Sequence, residues 1–148
     1  MLSMNPASQA GSASEVGPVH AADKDWEKAY NAGHLDNVVA LFDDNAVVYP
    51  PGVPPVSGRA AIRAFFEKNM AGFAATGLVM TLGEKSDGGV TGDMGWSSGT
   101  WAAKDASGKV VDSGWFFSVS RKVRGKWLYG RDAWNSDKPA APAAATQN

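Results

Sequence analysis

Apolar residues recur at three- and four-residue spacing up to about residue 75 and at two-residue spacing after it, so helices precede strands. Ala22, Trp26, Ala29 and Tyr30 share one helical face, which predicts a helix over Ala21–Ala32 with Asp23 and Asp25 as acids near its N-terminus and Gly33 as its stop. Leu35, Val38, Val39 and Phe42 predict a short second helix, ended by Asp43-Asp44-Asn45, before a short strand at Ala46–Tyr49. Pro50, Pro51, Pro54 and Pro55 enforce an extended loop. Ser57 is placed to cap a third helix over Arg59 to about Ala75, where Ile62, Phe65, Phe66, Met70 and Phe73 form a heavy apolar stripe.

Strand patterns follow over Leu78–Gly83, Val90–Ala103 and Val110–Lys122, and over the stretch Gly125–Asp137, each bounded by Gly, Asp and Ser turn chemistry. Three helices ahead of a four-strand antiparallel meander give an α+β fold, with helices on one face of a curved sheet. Residues 1–19 and 139–148 lack apolar periodicity and read as flexible tails around one domain at 20–138.

At 148 residues and 44% hydrophobic content, the chain suits a single core. A net charge of −1 argues against nucleic acid and anionic membrane as partners. The chain has no cysteine, which excludes disulfides and thiolate chemistry and fits a cytoplasmic location. Its first residues show neither the basic nor the apolar region of a signal peptide. Two distant histidines and scattered acids do not make a metal site, and no phosphate-binding glycine loop follows a strand, so no cofactor is expected. Gly95-Trp96-Ser97-Ser98-Gly99 matches a nucleophile elbow in letters only, because it lies inside an antiparallel strand. Its glycines suit a bend in the sheet.

The segments AYNAGHLDNVVALFDDNAVVYPPG, VSGRAAIRAFFEKN and GKWLYGRDAWNSD, in that order, resemble the nuclear transport factor 2-like superfamily, and within it the SnoaL-like and ketosteroid-isomerase-like group. The resemblance implies a cone, in which a curved antiparallel sheet is wrapped by about three N-terminal helices around an apolar pocket, commonly as a homodimer. It also implies a departure in chemistry. Trp26 stands at the place of the ketosteroid isomerase oxyanion-hole tyrosine, Pro50 at that of its base, and Phe117 near that of its second acid. Ketosteroid isomerisation is therefore not expected.

In that cone, strict alternation along the last strand turns Leu128, Gly130, Asp132 and Trp134 inward, and Trp127, Tyr129 and Arg131 outward. Asp132 becomes the candidate acid or base, with Tyr49 as a helping donor; the plainer role for Asp132 is to tie down a neighbouring donor. Trp26, Tyr30, Phe42, Phe65, Phe66 and Met70 are expected to line the pocket together with Trp115, Phe117 and Trp134. Phe116, Trp127 and Tyr129 would then face a second copy of the chain. Two function classes stay open. One is a cofactor-independent isomerase, cyclase or (de)hydratase of a hydrophobic small molecule; the other is a non-catalytic ligand-binding or homodimeric association module.

Overall fold

The computed structural model describes residues 7–138, with side chains from Val16 onward. Helix α1 spans Ala7–Ala32, α2 Leu35–Val39 and α3 Arg59–Ala75. Strands β1 (Phe42–Tyr49), β2 (Val56–Ser57), β3 (Val79–Leu82), β4 (Asp87–Thr91), β5 (Met94–Lys104), β6 (Val110–Val123) and β7 (Lys126–Trp134) form one seven-stranded sheet. The expected α+β architecture is present, with the long helices against one face of the sheet. The strand order is β2-β1-β7-β6-β5-β3, with β4 also paired to β5.

Several boundaries differ from the sequence pattern, each for a local reason. The first helix begins at Ala7 rather than Ala21 and runs through Gly17 and Pro18 against their low helix propensity; the added stretch carries no apolar stripe by which the sequence could mark it. Residues 7–19 are thus helical, and Val19 is buried; residues 1–6 and 139–148 lie outside the described residues. Phe42 opens β1 instead of closing α2, and β1 joins the sheet by parallel pairing with β7. Ser57 does not cap α3, whose N-cap is Gly58 at φ +87°, a conformation glycine adopts without strain. The single strand expected over Val90–Ala103 is a hairpin, β4 and β5, turned at Gly92-Asp93.

Side chains lash the helices to the sheet. Asn31 of α1 both donates to Met80 O (2.7 Å) and accepts from Met80 N (2.8 Å), and Glu27 accepts from Leu82 N, so α1 satisfies the free edge of β3. Arg59 at the start of α3 donates to Phe42 O and pairs with Asp44 at 2.8 Å. Between these layers the core gathers Val38, Phe42, Val48, Ile62 and Phe66, all essentially inaccessible.

One irregularity sets the phase of the last strand. Val119 pairs with Arg131, but Ser120 pairs with Tyr129, so Gly130 is an extra residue, a β-bulge on β7. The bulge lets Trp127 and Tyr129 face inward before it, and Asp132 and Trp134 face inward after it. Strict alternation fails here. Trp127 (8% exposed) and Tyr129 (4%) are interior residues, not an outer surface. The phase of β6 is also opposite to that expected: Phe116 points into the cone, while Trp115 and Phe117 are 48% and 43% exposed on the outside.

Candidate active site

Between α1, α3 and the concave face of the sheet lies a cavity of about 390 Å³, within the ordinary range for small-molecule sites. Its walls are chiefly aromatic. Trp26 stacks on Tyr30 at 4.6 Å between ring centroids, and Phe66 stacks on Trp134 at 6.3 Å, while Phe116 and Trp101 close the side formed by β5 and β6. Asp112 and Ser136 also line it, held together by a 2.7 Å hydrogen bond.

A polar strip crosses this apolar interior. Ser97 of β5 pairs in register with Ser118 of β6, and Ser118 with Asp132 of β7. All three side chains stand on the inner face, and Ser118 Oγ donates to Asp132 Oδ1 at 2.9 Å. Burial pushes the Asp132 carboxyl up to about 7; the negative neighbour Asp23 adds to this, and the Ser118 hydrogen bond opposes it. Asp132 keeps partial exposure because it opens on the cavity.

Asp23 is the group the sequence pattern misplaced. Read as a helix-end acid, it sits well inside the long α1 and is only 7% exposed. It lines the cavity, and Tyr129 donates its phenol hydrogen to Asp23 Oδ1 at 2.6 Å. Burial raises the Asp23 carboxyl; the Tyr129 hydrogen bond, nearby Ser97 and His20 hold it down. His20 Nδ1 stands 3.9 Å from Asp23 Oδ2. Ser97 stands beside Asp23, yet among the described residues Ser97 Oγ, Asp23 Oδ2 and Trp26 Nε1 are buried with no completed hydrogen bond. Burial and the neighbouring aspartates Asp23, Asp132 and Asp25 raise the Tyr129 phenol well above its ordinary range, and burial raises Tyr30, which donates to Asn69 at 2.6 Å, to about 12. Both phenols are therefore donors at neutral pH.

Of the residues expected at the site, Asp132, Trp26, Tyr30, Phe66 and Trp134 line the cavity. Phe42, Phe65 and Met70 pack behind the wall, Phe42 against Tyr129 and Phe65 against Trp134. Tyr49, Trp115 and Phe117 are outside. Tyr49 pairs with Ala133 at the sheet's outer face and is 41% exposed, so it cannot assist Asp132. Ser97 of the glycine-flanked motif is fully buried within β5. Among the described residues no three His, Asp or Glu side chains converge as metal ligands, and no helix is long and apolar enough to cross a membrane.

A curved sheet wrapped by helices around one pocket defines a nuclear transport factor 2-like fold, and comparison with solved structures agrees. A nuclear transport factor 2-like protein with a cystatin-like fold from Novosphingobium aromaticivorans superposes with a TM-score of 0.73 at 17% identity, over 84% of this chain and 83% of its own. A ketosteroid isomerase-like protein from Erwinia carotovora atroseptica gives 0.64 at 18%, over 84% and 98%. A candidate dehydratase of the same fold family from Streptomyces avermitilis gives 0.68 at 18%, over 82% and 94%. The SnoaL-like domain model matches residues 24–129, and the chain belongs to that family. Asp23 and Asp132 fall just outside the matched span at its two ends.

Proposed function

We propose that the chain is a cofactor-independent enzyme that moves protons on a hydrophobic carbonyl compound, in an isomerisation, cyclisation, hydration or dehydration. The observation that carries this reading is the Asp132 carboxyl, with a pKa near 7, in the wall of a 390 Å³ aromatic cavity. A carboxyl poised near neutrality both gives and takes a proton without a large driving-force penalty. Trp26, whose buried Nε1–H has no hydrogen-bond partner among the described residues, stands in the wall of the same cavity. The Streptomyces relative, a candidate dehydratase, is in keeping with this class.

The test is a thermal-shift screen of hydrophobic ketones and β-hydroxy ketones, followed by turnover assays on each compound that binds, with wild type and Asp132→Asn compared. The reading expects turnover that the substitution reduces about a hundredfold or more. A ligand that stabilises both proteins equally, with no turnover dependent on the carboxyl, would leave a binding module instead.

A homodimer through the outer sheet face belongs to the same proposal, with Tyr49, Trp115 and Phe117 as its contacts in place of Phe116, Trp127 and Tyr129. Three large side chains exposed on one sheet face support it.

A further inference from the structure

We propose that Asp23 is the second catalytic group of this cavity: the base that takes a proton from carbon while Asp132 returns one to oxygen. The inference rests on the acid/base reading above and divides its labour between two carboxyls.

Three observations place Asp23 in the reaction. First, among the described side chains it is the one acid of α1 turned to the cavity; Asp25, two positions on, is exposed. A buried carboxyl is costly, and among the described residues no salt bridge to a lysine or arginine offsets it. Second, its partner holds it as an acceptor. Tyr129 must donate its only hydroxyl hydrogen to Oδ1, which favours the ionised carboxylate, whereas Asp132 has only the Ser118 hydroxyl. The two acids thus differ in environment as a base and an acid should. Third, Asp23 Oδ2 is buried and completes no hydrogen bond among the described residues, with His20 Nδ1 3.9 Å away, so one oxygen of this cavity-lining carboxyl has its acceptor capacity unfilled.

Both acids line the same cavity, and their charges act on one another. The other titratable groups lining it are Tyr30 of α1, Asp112 of β6, Tyr129 of β7 and Lys138 beyond β7, while His20 approaches Asp23 from its own helix. Two like charges in one dry site resist ionising together, so the pair holds one proton across a range of pH.

The substrate class this arrangement takes is an uncharged, apolar β-hydroxy carbonyl compound. Asp23 removes the proton on the carbon next to the carbonyl, and that electron pair forms the carbon–carbon double bond. The bond from the β-carbon to its hydroxyl breaks, and the hydroxyl leaves as water with the proton of Asp132. Asp23 ends protonated and Asp132 ionised; transfer of that proton back to Asp132 restores the site, and nothing but substrate is consumed.

The first half-step is separable from the second. Benzylacetone has the acidic carbon–hydrogen bonds but no leaving hydroxyl, so exchange of those hydrogens in heavy water, followed by proton NMR, reads the base alone. Exchange catalysed by the wild type is expected to fall about a hundredfold or more in Asp23→Asn, and to fall further in Asp23→Asn than in Asp132→Asn. Should Asp132→Asn abolish exchange while Asp23→Asn retains it, Asp132 acts by itself, and the inference fails while the proposed function stands. Absence of exchange with the wild type would overturn both. Tyr129→Phe covers the case in which Asp23→Asn does not fold. Without the phenol to favour the carboxylate, the pH midpoint of exchange moves up, and an unmoved midpoint rules Asp23 out as the base.

Discussion

At the scale of single residues, the interior acids have consequences that do not depend on knowing the substrate. Between the ordinary carboxylate range and about 7, folded Asp132 keeps a proton that the unfolded chain releases. Proton binding then favours the folded state at low pH, and stability falls as pH rises through that window. Asp132→Asn removes the penalty while keeping the shape. The gain in stability over wild type is expected to be small near pH 4 and to reach on the order of 2–4 kcal/mol near pH 8, measured as the difference in urea midpoints at the two pH values. Equal midpoints at pH 8 would mean that Asp132 carries its charge without penalty. Tyr129 works in the opposite sense, because among the described residues its phenol is the one hydrogen-bond donor completed to Asp23. Tyr129→Phe leaves that carboxyl without a partner and should cost about 1–3 kcal/mol at neutral pH. A loss below about 0.5 kcal/mol would show that solvent already reaches Asp23. Asp132 was legible in the sequence as an acid within an aromatic strand. Asp23 was not, because a charged stretch such as Asp23-Lys24-Asp25 looks like any solvated helix end until the length of α1 and the sheet beneath it are known.

At the scale of elements, the bulge at Gly130 decides what the cavity contains. The helix of Arg59–Ala75 could be read to its boundaries, because five large apolar residues mark one face and tertiary packing only reinforces that pattern. Strand faces are more fragile, since one added residue inverts every position beyond it. Counting by twos from Asp132 therefore put Trp127 and Tyr129 on the wrong side. Trp115 and Phe117 fail for another reason: β6 alternates unbroken there, but its register against β7 sets Phe116, not its neighbours, beside Trp134. The pairing register makes this testable. A Cβ on Gly130 would meet Val119 O at 3.5 Å, an ordinary contact, so Gly130→Ala should change stability by less than about 1 kcal/mol. Deleting Gly130 removes the bulge and forces either Trp127 and Tyr129 or Asp132 and Trp134 out of the interior. Loss of several large buried side chains should cost more than about 4 kcal/mol and leave no cooperative urea transition. If the deletion variant melts cooperatively within about 1 kcal/mol of wild type, the bulge is not what sets the faces.

At the scale of the whole molecule, the same phase correction moves the predicted interface without abolishing it. The order of helices and strands was enough to give an α+β sheet with helices on one face. What the order could not give was the parallel pairing of β1 with β7, which depends on contacts far apart in sequence. That pairing sets Tyr49 beside Ala133, and Ala133 pairs with Phe117, so one row of the outer face carries two exposed aromatics. Trp96 stacks on Phe117 at 6.0 Å and Trp115 stands two residues along β6, extending the patch across the centre of the sheet. The helices cover only the concave side, so nothing within the described residues shields this face. A sheet-to-sheet dimer burying about 800 Å² per protomer would cover it. Sedimentation velocity at micromolar concentration should give a dimer for the wild type and a monomer for Phe117→Glu, since a charge at the patch centre must be desolvated to reform the contact. The melting temperature of the wild type should rise with protein concentration, and that of the variant should not. Because Phe117 points away from the cavity, the variant should also keep the benzylacetone exchange activity of each chain, which separates assembly from chemistry. A wild-type chain that sediments as a monomer throughout this range would leave the aromatic face without a second copy of itself as its partner.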